Sequence, residues 1–371
     1  MRIIVSGGGT GGHIYPALTI LREIEAQRPD TKFLYVGTKT GLEADIVPRE
    51  GVPFANVDLK GFERHFTLDN FRRAGKAMAG VAKAAKIVRD FHPTAVIGTG
   101  GYVCGPILLA ASLMGVPTLI QEQNVVPGIT NKILSHFVTK IACGTEEALA
   151  HFPRAKSVFT GNPIRREVMT ARREDGLAEY GFDGVRPIVL VSGGSRGARS
   201  LNRAMVGVLK EAQHHPEVQF LLATGQKEYE PEKKRLAEAG VDLEDTPHLK
   251  VLPYLYHMPS AQAMADLAIF RAGATGLAEL TARGIPAILI PYPYAAENHQ
   301  EHNARALEAA GAARVILDRD LDSARLGSVL AELLSEPGKL KQMAASSKKM
   351  GRPEAAKTIA SLVLSLCEDK K

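Results

Sequence analysis

The sequence predicts an α/β protein made of two Rossmann-like halves, each a doubly wound parallel sheet. Short apolar runs alternate with amphipathic stretches from one end to the other. The alternation stops in a polar, charged region at 172–186 and then restarts. Each half opens with the same order of strand, glycines and helix. Strands that are apolar on both faces belong to a parallel sheet covered by helices on each side. Right-handed βαβ crossovers then wind the sheet in two directions. A chain of 371 residues has room for two such domains.

In the first half, strands are read at Arg2–Ser6, Lys32–Val36, Ala95–Gly98, Pro117–Ile120 and Lys140–Ala142, with helical spacing over His13–Arg28. Arg172–Arg186, which carries Gly176, Gly181 and Gly184, reads as a linker region. In the second half, strands are read at Pro187–Ser192, Val218–Ala223, Leu249–Leu252, Leu267–Phe270, Ala287–Ile290 and Arg314–Leu317. A helical stretch at Glu354–Ser365 and a charged tail follow.

Composition narrows the class. Hydrophobic residues make up 45% and charged residues 23%, which excludes a disordered chain and a fibrous repeat. Cys104, Cys143 and Cys367 are odd in number and widely spaced, so neither a disulfide framework nor a thiolate zinc site is expected. The longest apolar stretch, Pro106–Ile120, is broken by Gly115 and Pro117 and is too short to span a bilayer. A cytoplasmic location follows as the expectation, with contact to a membrane surface left open.

Four glycine clusters each follow a strand. The first is Gly7-Gly8-Gly9-Thr10-Gly11-Gly12 before His13, and the second runs from Gly98 to Gly105. The third is Gly193-Gly194-Ser195-Arg196-Gly197, and the fourth is Gly273-Ala274-Thr275-Gly276. Glycines let backbone approach a ligand, and a following helix N-terminus attracts anions. The first cluster satisfies G-x-G-x-x-G, but a dinucleotide site also wants an acidic residue after the second strand, where this chain has Gly37-Thr38-Lys39. No cluster contains Gly-Lys-Ser/Thr, so a Walker-type NTPase is not supported. Ligands of open α/β sheets bind at the carboxyl edge. Two such edges suggest a cleft, one side for a nucleotide diphosphate and the other for an acceptor.

The motifs GGGTGGHIYPAL at 7–18, GTGGYVCGP at 98–106, QEQNVVPGITNK at 121–132, GNPIR at 161–165, GGSRGARSLN at 193–202, RAGATGLAEL at 271–280 and ENHQEHNA at 297–304 occur in one order along nearly the whole chain. Together they resemble the MurG family, glycosyltransferases that add N-acetylglucosamine to the undecaprenyl-linked muramyl-peptide precursor of peptidoglycan. The resemblance implies a GT-B fold with an N-terminal acceptor and membrane domain at 1–163, on which helix 353–371 packs back. It implies a UDP-GlcNAc-binding domain at 164–352. The implied partners are UDP-GlcNAc, the undecaprenyl-pyrophosphoryl-muramyl-pentapeptide acceptor and an anionic membrane surface on the cytoplasmic side. No cofactor is implied.

Carried over by position, the resemblance places Thr10, Gly11, Gly12 and Asn124 near the donor sugar. Arg165 and Ser195 match the arginine of Gly-Asn-Pro-x-Arg and the serine of the third loop, and the backbone of Leu255 falls where uracil is contacted. Ala274, Thr275, Gly276, Leu277, Ala278 and Glu279 match the segment around ribose and diphosphate, and Gln300 matches a glutamine near the sugar hydroxyls. Leu277 and Ala278 depart from commoner choices, and the loop before Gln300 is one residue longer than in some relatives.

An inverting transfer needs a base for the acceptor hydroxyl. His13, at a helix start that disfavours imidazolium, and Glu122 are both candidates. Glu279 near the start of a helix is favoured by the helix dipole, whatever else it does. The leaving diphosphate can be stabilised by loop amides with Ser195 and Arg165, without a metal. No Asp-x-Asp stands where a metal-dependent transferase would carry one, and His257, His299 and His302 do not make a zinc set. Rival readings are a Rossmann-type oxidoreductase and a UDP-sugar epimerase.

Residues 60–90 carry eight Lys or Arg against three Asp or Glu, interleaved with Phe62, Phe66, Leu68, Phe71 and Met78. A solvated helix face and an interfacial patch on anionic lipid both fit. No nucleic-acid module is visible, and no nucleic-acid partner is expected.

Overall fold

The structure is a computed structural model that describes residues 1–57, 70–194 and 197–368, with side chains described throughout except at 70–79. It divides into two compact units, Met1–Ile164 with Pro353–Lys371, and Arg165–Arg352. Ser195 and the segment 60–69 lie outside the described residues, as do the side chains of Phe71, Arg72, Arg73, Lys76 and Met78.

The first unit runs β1 (Arg2–Ser6), α1 (Gly11–Gln27), β2 (Lys32–Gly37), α2 (Leu42–Arg49), β3 (Phe54–Asn56), α3 (Asn70–Phe91), β4 (Ala95–Gly98), α4 (Cys104–Leu113), β5 (Thr118–Glu122), α5 (Ile129–Leu134), β6 (Lys140–Cys143) and β7 (Ser157–Phe159). Its strands form one parallel sheet in the order β3-β2-β1-β4-β5-β6-β7. Side chains alternate between two cores, as a strand's period of two demands. Ile3, Val5 and Ile97 face Ile14, Leu21 and Ile24 of α1. Ile4, Val96 and Ile120 face the opposite way, toward Val88 of α3 and Ile107 and Leu108 of α4.

The second unit runs α6 (Arg166–Thr170), α7 (Arg173–Tyr180), β8 (Ile188–Ser192), α8 (Arg199–Ala212), β9 (Gln219–Ala223), α9 (Tyr229–Glu238), β10 (Leu249–Leu252), α10 (Met258–Met264), β11 (Leu267–Phe270), α11 (Ala274–Arg283), β12 (Ala287–Leu289), α12 (His299–Ala309), β13 (Ala313–Val315), α13 (Ser323–Ser335) and α14 (Pro337–Met350). Its parallel sheet has the order β10-β9-β8-β11-β12-β13. Val189 and Val191 face α8 and α13, while Ile188 and Leu190 face α10 and α11. The last helix, α15 (Ala355–Glu368), returns to the first unit. Its Ile359, Ala360, Val363 and Leu366 pack with the face of α1 that covers β1.

Both sheets are the doubly wound architecture read from the sequence, with two kinds of exception. Strands β3 and β7 were not read, because each has three residues at a sheet edge. The supposed linker at 172–186 contains helix α7, which lies against α10. Gly176 allows that approach, since a Cβ there would stand 2.3 Å from the Ser260 carbonyl oxygen. Gly181 ends the helix in the left-handed conformation, at φ 70°.

In each sheet the strand order reverses once, between β1 and β4 and between β8 and β11. The four glycine clusters follow those four strands. Ligands of doubly wound sheets bind at such switch points.

Candidate active site

In the first unit, two glycine loops lie backbone against backbone. The Gly8 amide donates to the Gly100 carbonyl at 3.3 Å, and a Cβ on Gly101 would stand 2.3 Å from the Gly8 oxygen. Gly9 and Gly101 have φ of 82° and 83°, where side chains are strained. The Tyr35 hydroxyl donates to the Gly7 carbonyl at 2.6 Å. Thr10 is the extended N-cap of α1 and, like Gly12, is exposed, while Gly11 is half-buried.

His13 is half-buried and held by several contacts, among them the Thr10 hydroxyl 3.4 Å from Nδ1. Its Nδ1 lies 2.9 Å from the Gly8 carbonyl oxygen, its own carbonyl accepts from the Thr99 hydroxyl at 2.7 Å, and its ring lies against Gly100. A carbonyl only accepts, so Nδ1 carries the proton in neutral His13, and Nε2 holds the free lone pair. That is the tautomer a general base requires.

Glu122 reads differently in space. It is buried at the end of β5. Oε1 accepts from the backbone and side-chain nitrogens of Asn124 at 2.9 and 3.1 Å. Oε2 accepts from the Gly128 amide at 3.2 Å and from Nδ2 of Asn131 at 2.8 Å. Four donors on two oxygens leave no room for an incoming proton, so Glu122 shapes the 123–128 loop and orients Asn124. The burial that pushes the Cys143 thiol up to about 12 is reinforced by the negative charge of Glu122.

Sequence reasoning missed Glu43. Its carboxyl is buried beneath the first loop and accepts from the Gly9 amide at 3.1 Å and from the amide and hydroxyl of Thr38 at 3.0 and 2.6 Å. Burial works to raise its pKa, but these hydrogen bonds outweigh burial and hold it below the usual carboxylate range. The signal available was Gly37-Thr38 followed by Gly41, because small residues surround a carboxylate that needs space.

In the second unit, Gly194 and Gly197 bend the third loop at φ of 85° and 73°, and a Cβ on Gly197 would stand 2.1 Å from the Thr224 oxygen. The fourth loop ends at Gly273, the extended N-cap of α11, so Ala274, Thr275 and Gly276 form its first turn. Leu277 and Leu255 are buried in the core beneath, and Ala278 is half-buried. Glu279 sits in the second turn of α11, past the positions where the helix dipole favours a carboxylate most. It is buried, and both its oxygens are engaged. Arg165 Nη2 donates to Oε1 at 3.2 Å, and Gln262 Nε2 of α10 donates to Oε2 at 2.9 Å. Arg165 thus meets a carboxylate.

Gln300 is the second residue of α12, and its Oε1 accepts from the Tyr292 amide at 3.0 Å. The preceding residues Glu297 and Asn298 both have φ of 50°, an uncommon conformation for non-glycine residues. Arg271 underpins this edge. It donates to Asp318 at 2.6 Å, to the Ser200 hydroxyl at 2.8 Å and to the carbonyls of Ile290 and Pro291 at 3.2 Å. Among the described residues no group of three or more His, Cys, Asp or Glu is gathered to hold a metal ion.

Two family models match the chain. The glycosyltransferase family 28 N-terminal domain matches residues 3–143, and the glycosyltransferase family 28 C-terminal domain matches residues 188–359. The UDP-N-acetylglucosamine--N-acetylmuramyl-(pentapeptide) pyrophosphoryl-undecaprenol N-acetylglucosamine transferase of Listeria welshimeri serovar 6b is 48% identical over 366 residues, 99% of each chain. The protein of the same name from Desulforamulus reducens is 47% identical over 97% of each. Among solved structures, MurG of Acinetobacter baumannii superposes with a TM-score of 0.79 at 27% identity, covering 98% of this chain and 99% of that one. A UDP-N-acetylglucosamine 2-epimerase described as putative, from Listeria monocytogenes, has a TM-score of 0.70 at 12% identity and shares the fold alone.

Proposed function

The chain belongs to the MurG family within glycosyltransferase family 28, and from that we infer that it transfers N-acetylglucosamine from UDP to the muramyl sugar of undecaprenyl-pyrophosphoryl-muramyl-pentapeptide. The fold is GT-B. The observation that carries the reading is 47–48% identity, across 97–99% of both chains, to transferases of that name. The test is release of UDP from UDP-GlcNAc, which should require the lipid-linked muramyl acceptor.

His13 is the proposed base. Its Nε2 takes the proton of the acceptor hydroxyl as that oxygen attacks C1 of the donor sugar, and the configuration at C1 inverts. The hydrogen bond from Nδ1 to the Gly8 oxygen supports this assignment over Glu122. Glu279 is proposed to accept the ribose hydroxyls. Each of its oxygens has one bond already and keeps a lone pair for another. Amides at the starts of α8 and α11 suit a diphosphate, with Ser195 from the third loop. Arg165, once released from Glu279, would supply a guanidinium to the same anion. Thr10, Gly11, Gly12, Asn124 and Gln300 are proposed contacts of the donor sugar, and Leu255 of the base.

A polyprenyl acceptor stays in the bilayer, so we place the protein peripherally on the cytoplasmic face. No helix among the described residues is long and apolar enough to cross a membrane. Support for peripheral contact comes from α4 and α5, which pack together. Leu113 is 69% exposed, Ile129 68%, Ile133 59% and Phe137 48%. Ile129 and Ile133 lie four apart on one side of α5, and Phe137 follows in the turn after it. Lys132 and Lys140 in the same segment suit anionic head groups.

A further inference from the structure

The peptide unit joining Gly8 to Gly9 is held from both sides. Its carbonyl accepts from Nδ1 of His13 at 2.9 Å, and its N–H donates to Oε2 of Glu43 at 3.1 Å. The bonds that Glu43 accepts all come from neutral donors, Gly9 and Thr38. Room for the carboxylate is made by glycine. A Cβ on Gly8 would stand 2.7 Å from its Cδ, and one on Gly41 would stand 2.2 Å from its Oε1.

We propose that Glu43 is a positioning residue that acts on His13 through this one peptide plane. A peptide is planar, so anchoring its N–H fixes the direction of its carbonyl. A bond to a carboxylate is charge-assisted, and it polarises the amide so that the carbonyl becomes a better acceptor. Glu43 thereby keeps the proton of His13 on Nδ1 and makes Nε2 more basic. A carboxylate bonded directly to an imidazole does the same in hydrolytic triads. Here a peptide stands between the two groups. The positive φ of Gly9 holds the plane in place and restricts that position to glycine.

The other titratable groups around the loops are Tyr35, Cys104 and Tyr102. The Cys104 thiol donates to the carbonyls of Ser6 and Gly100 at 3.0 and 2.9 Å. Burial pushes it up to about 11 and Tyr35 well above the usual tyrosine range. Tyr102 lies beside Gly9, with its ring 3.8 Å from where a Cβ on that residue would be.

The proposal rests on the reading of His13 as the base, and ¹⁵N NMR of histidine-labelled full-length protein separates the two. The parent should show neutral His13 protonated on Nδ1. Glu43→Gln should lower the His13 midpoint by about half a pH unit or more, because a negative charge that favours imidazolium is gone. The same variant should lower kcat about tenfold, leave the donor KM unchanged and move the acidic limb of the kcat profile to lower pH. A parent-like midpoint, tautomer and kcat in Glu43→Gln would overturn the proposal. If that variant does not fold, Glu43→Asp, one methylene short of Gly9, should lower kcat alone, and parent-like turnover would count against the idea. A parent protonated on Nε2 would overturn it without any variant. Near-normal turnover in His13→Ala removes the base assignment but leaves the coupling in the spectra. An inactive His13→Ala with no coupling removes only Glu43.

Discussion

The guanidinium of Arg165 donates to Oε1 of Glu279 at 3.2 Å, while Gln262 donates to the other oxygen at 2.9 Å. The carboxylate proposed for ribose is therefore oriented by the protein's own side chains. Pre-orientation lowers the ordering cost of binding.

Removing that carboxylate should weaken donor binding. Glu279→Ala should raise the donor KM roughly 10- to 100-fold, since a hydrogen bond to a charged group contributes about 1.5–3 kcal/mol. Glu279→Gln should fall between. Gln262→Leu should cost about 2- to 10-fold in donor KM, because a neutral donor is worth less. Titration calorimetry with UDP and steady-state kinetics read both, and an unchanged donor KM in folded Glu279→Ala refutes the ribose role.

His13 and Glu122 should separate cleanly. His13→Ala should lower kcat by about 10² or more with UDP affinity intact. Glu122→Gln places an amide NH₂ against donors from Asn124, Gly128 and Asn131. It should cost about 1–3 kcal/mol of stability, read by urea denaturation, and leave the pH dependence of turnover in place.

Membrane contact is tested with two variants. Ile129→Glu with Ile133→Glu should reduce sedimentation with anionic vesicles and activity on long-chain acceptor, while a short-chain soluble acceptor is still used. Arg72, Arg73 and Lys76 changed to Glu should reduce vesicle binding and its salt sensitivity. Parent-like sedimentation of both variants would place the contact elsewhere.

Two thiols make stability depend on alkali. Cys104 and Cys143 are free and buried, and burial pushes them up from about 9 to about 11 and about 12. The unfolded thiols titrate near pH 8.5, so above that pH the unfolded chain loses protons that the folded chain keeps. The stabilisation is whole below pH 8.5 and is lost as pH rises toward the folded values. For Cys104 the loss amounts to roughly 2–3 kcal/mol by pH 11. Cys104→Ala should flatten the fall in urea midpoint between pH 7 and 10, and an equal slope in parent and variant would contradict this.

Most strands were legible because they are apolar on both faces, and β1, β4, β10 and β11 fall on the residues read. Strands β3 and β7 were not, since three residues carry too little periodicity. Helix α7 was hidden by its polarity, as only Leu177 and Tyr180 among its residues are large and apolar. Glycine spacing located the loops, but it could not say what lies beneath them. Glu43 acts through a fold that brings 43 under 9, and the four donors on Glu122 come from Asn124 and Gly128 of the following loop and from Asn131 of α5, whose convergence local sequence does not show.

Helix α15 bears on how this protein is made. The ribosome delivers residues 1–164 first, but the helix that completes their core spans Ala355–Glu368. At about 5–20 residues per second, roughly 10–40 s of synthesis separate the two. For that interval the side of α1 that will meet Ile359, Val363 and Leu366 has no partner from α15. The second unit, continuous from Arg165 to Arg352, has all its chain before the first unit does. Nascent chains arrested near residue 350 should therefore present an apolar strip to trigger factor-like chaperones, and chains released past residue 368 should not.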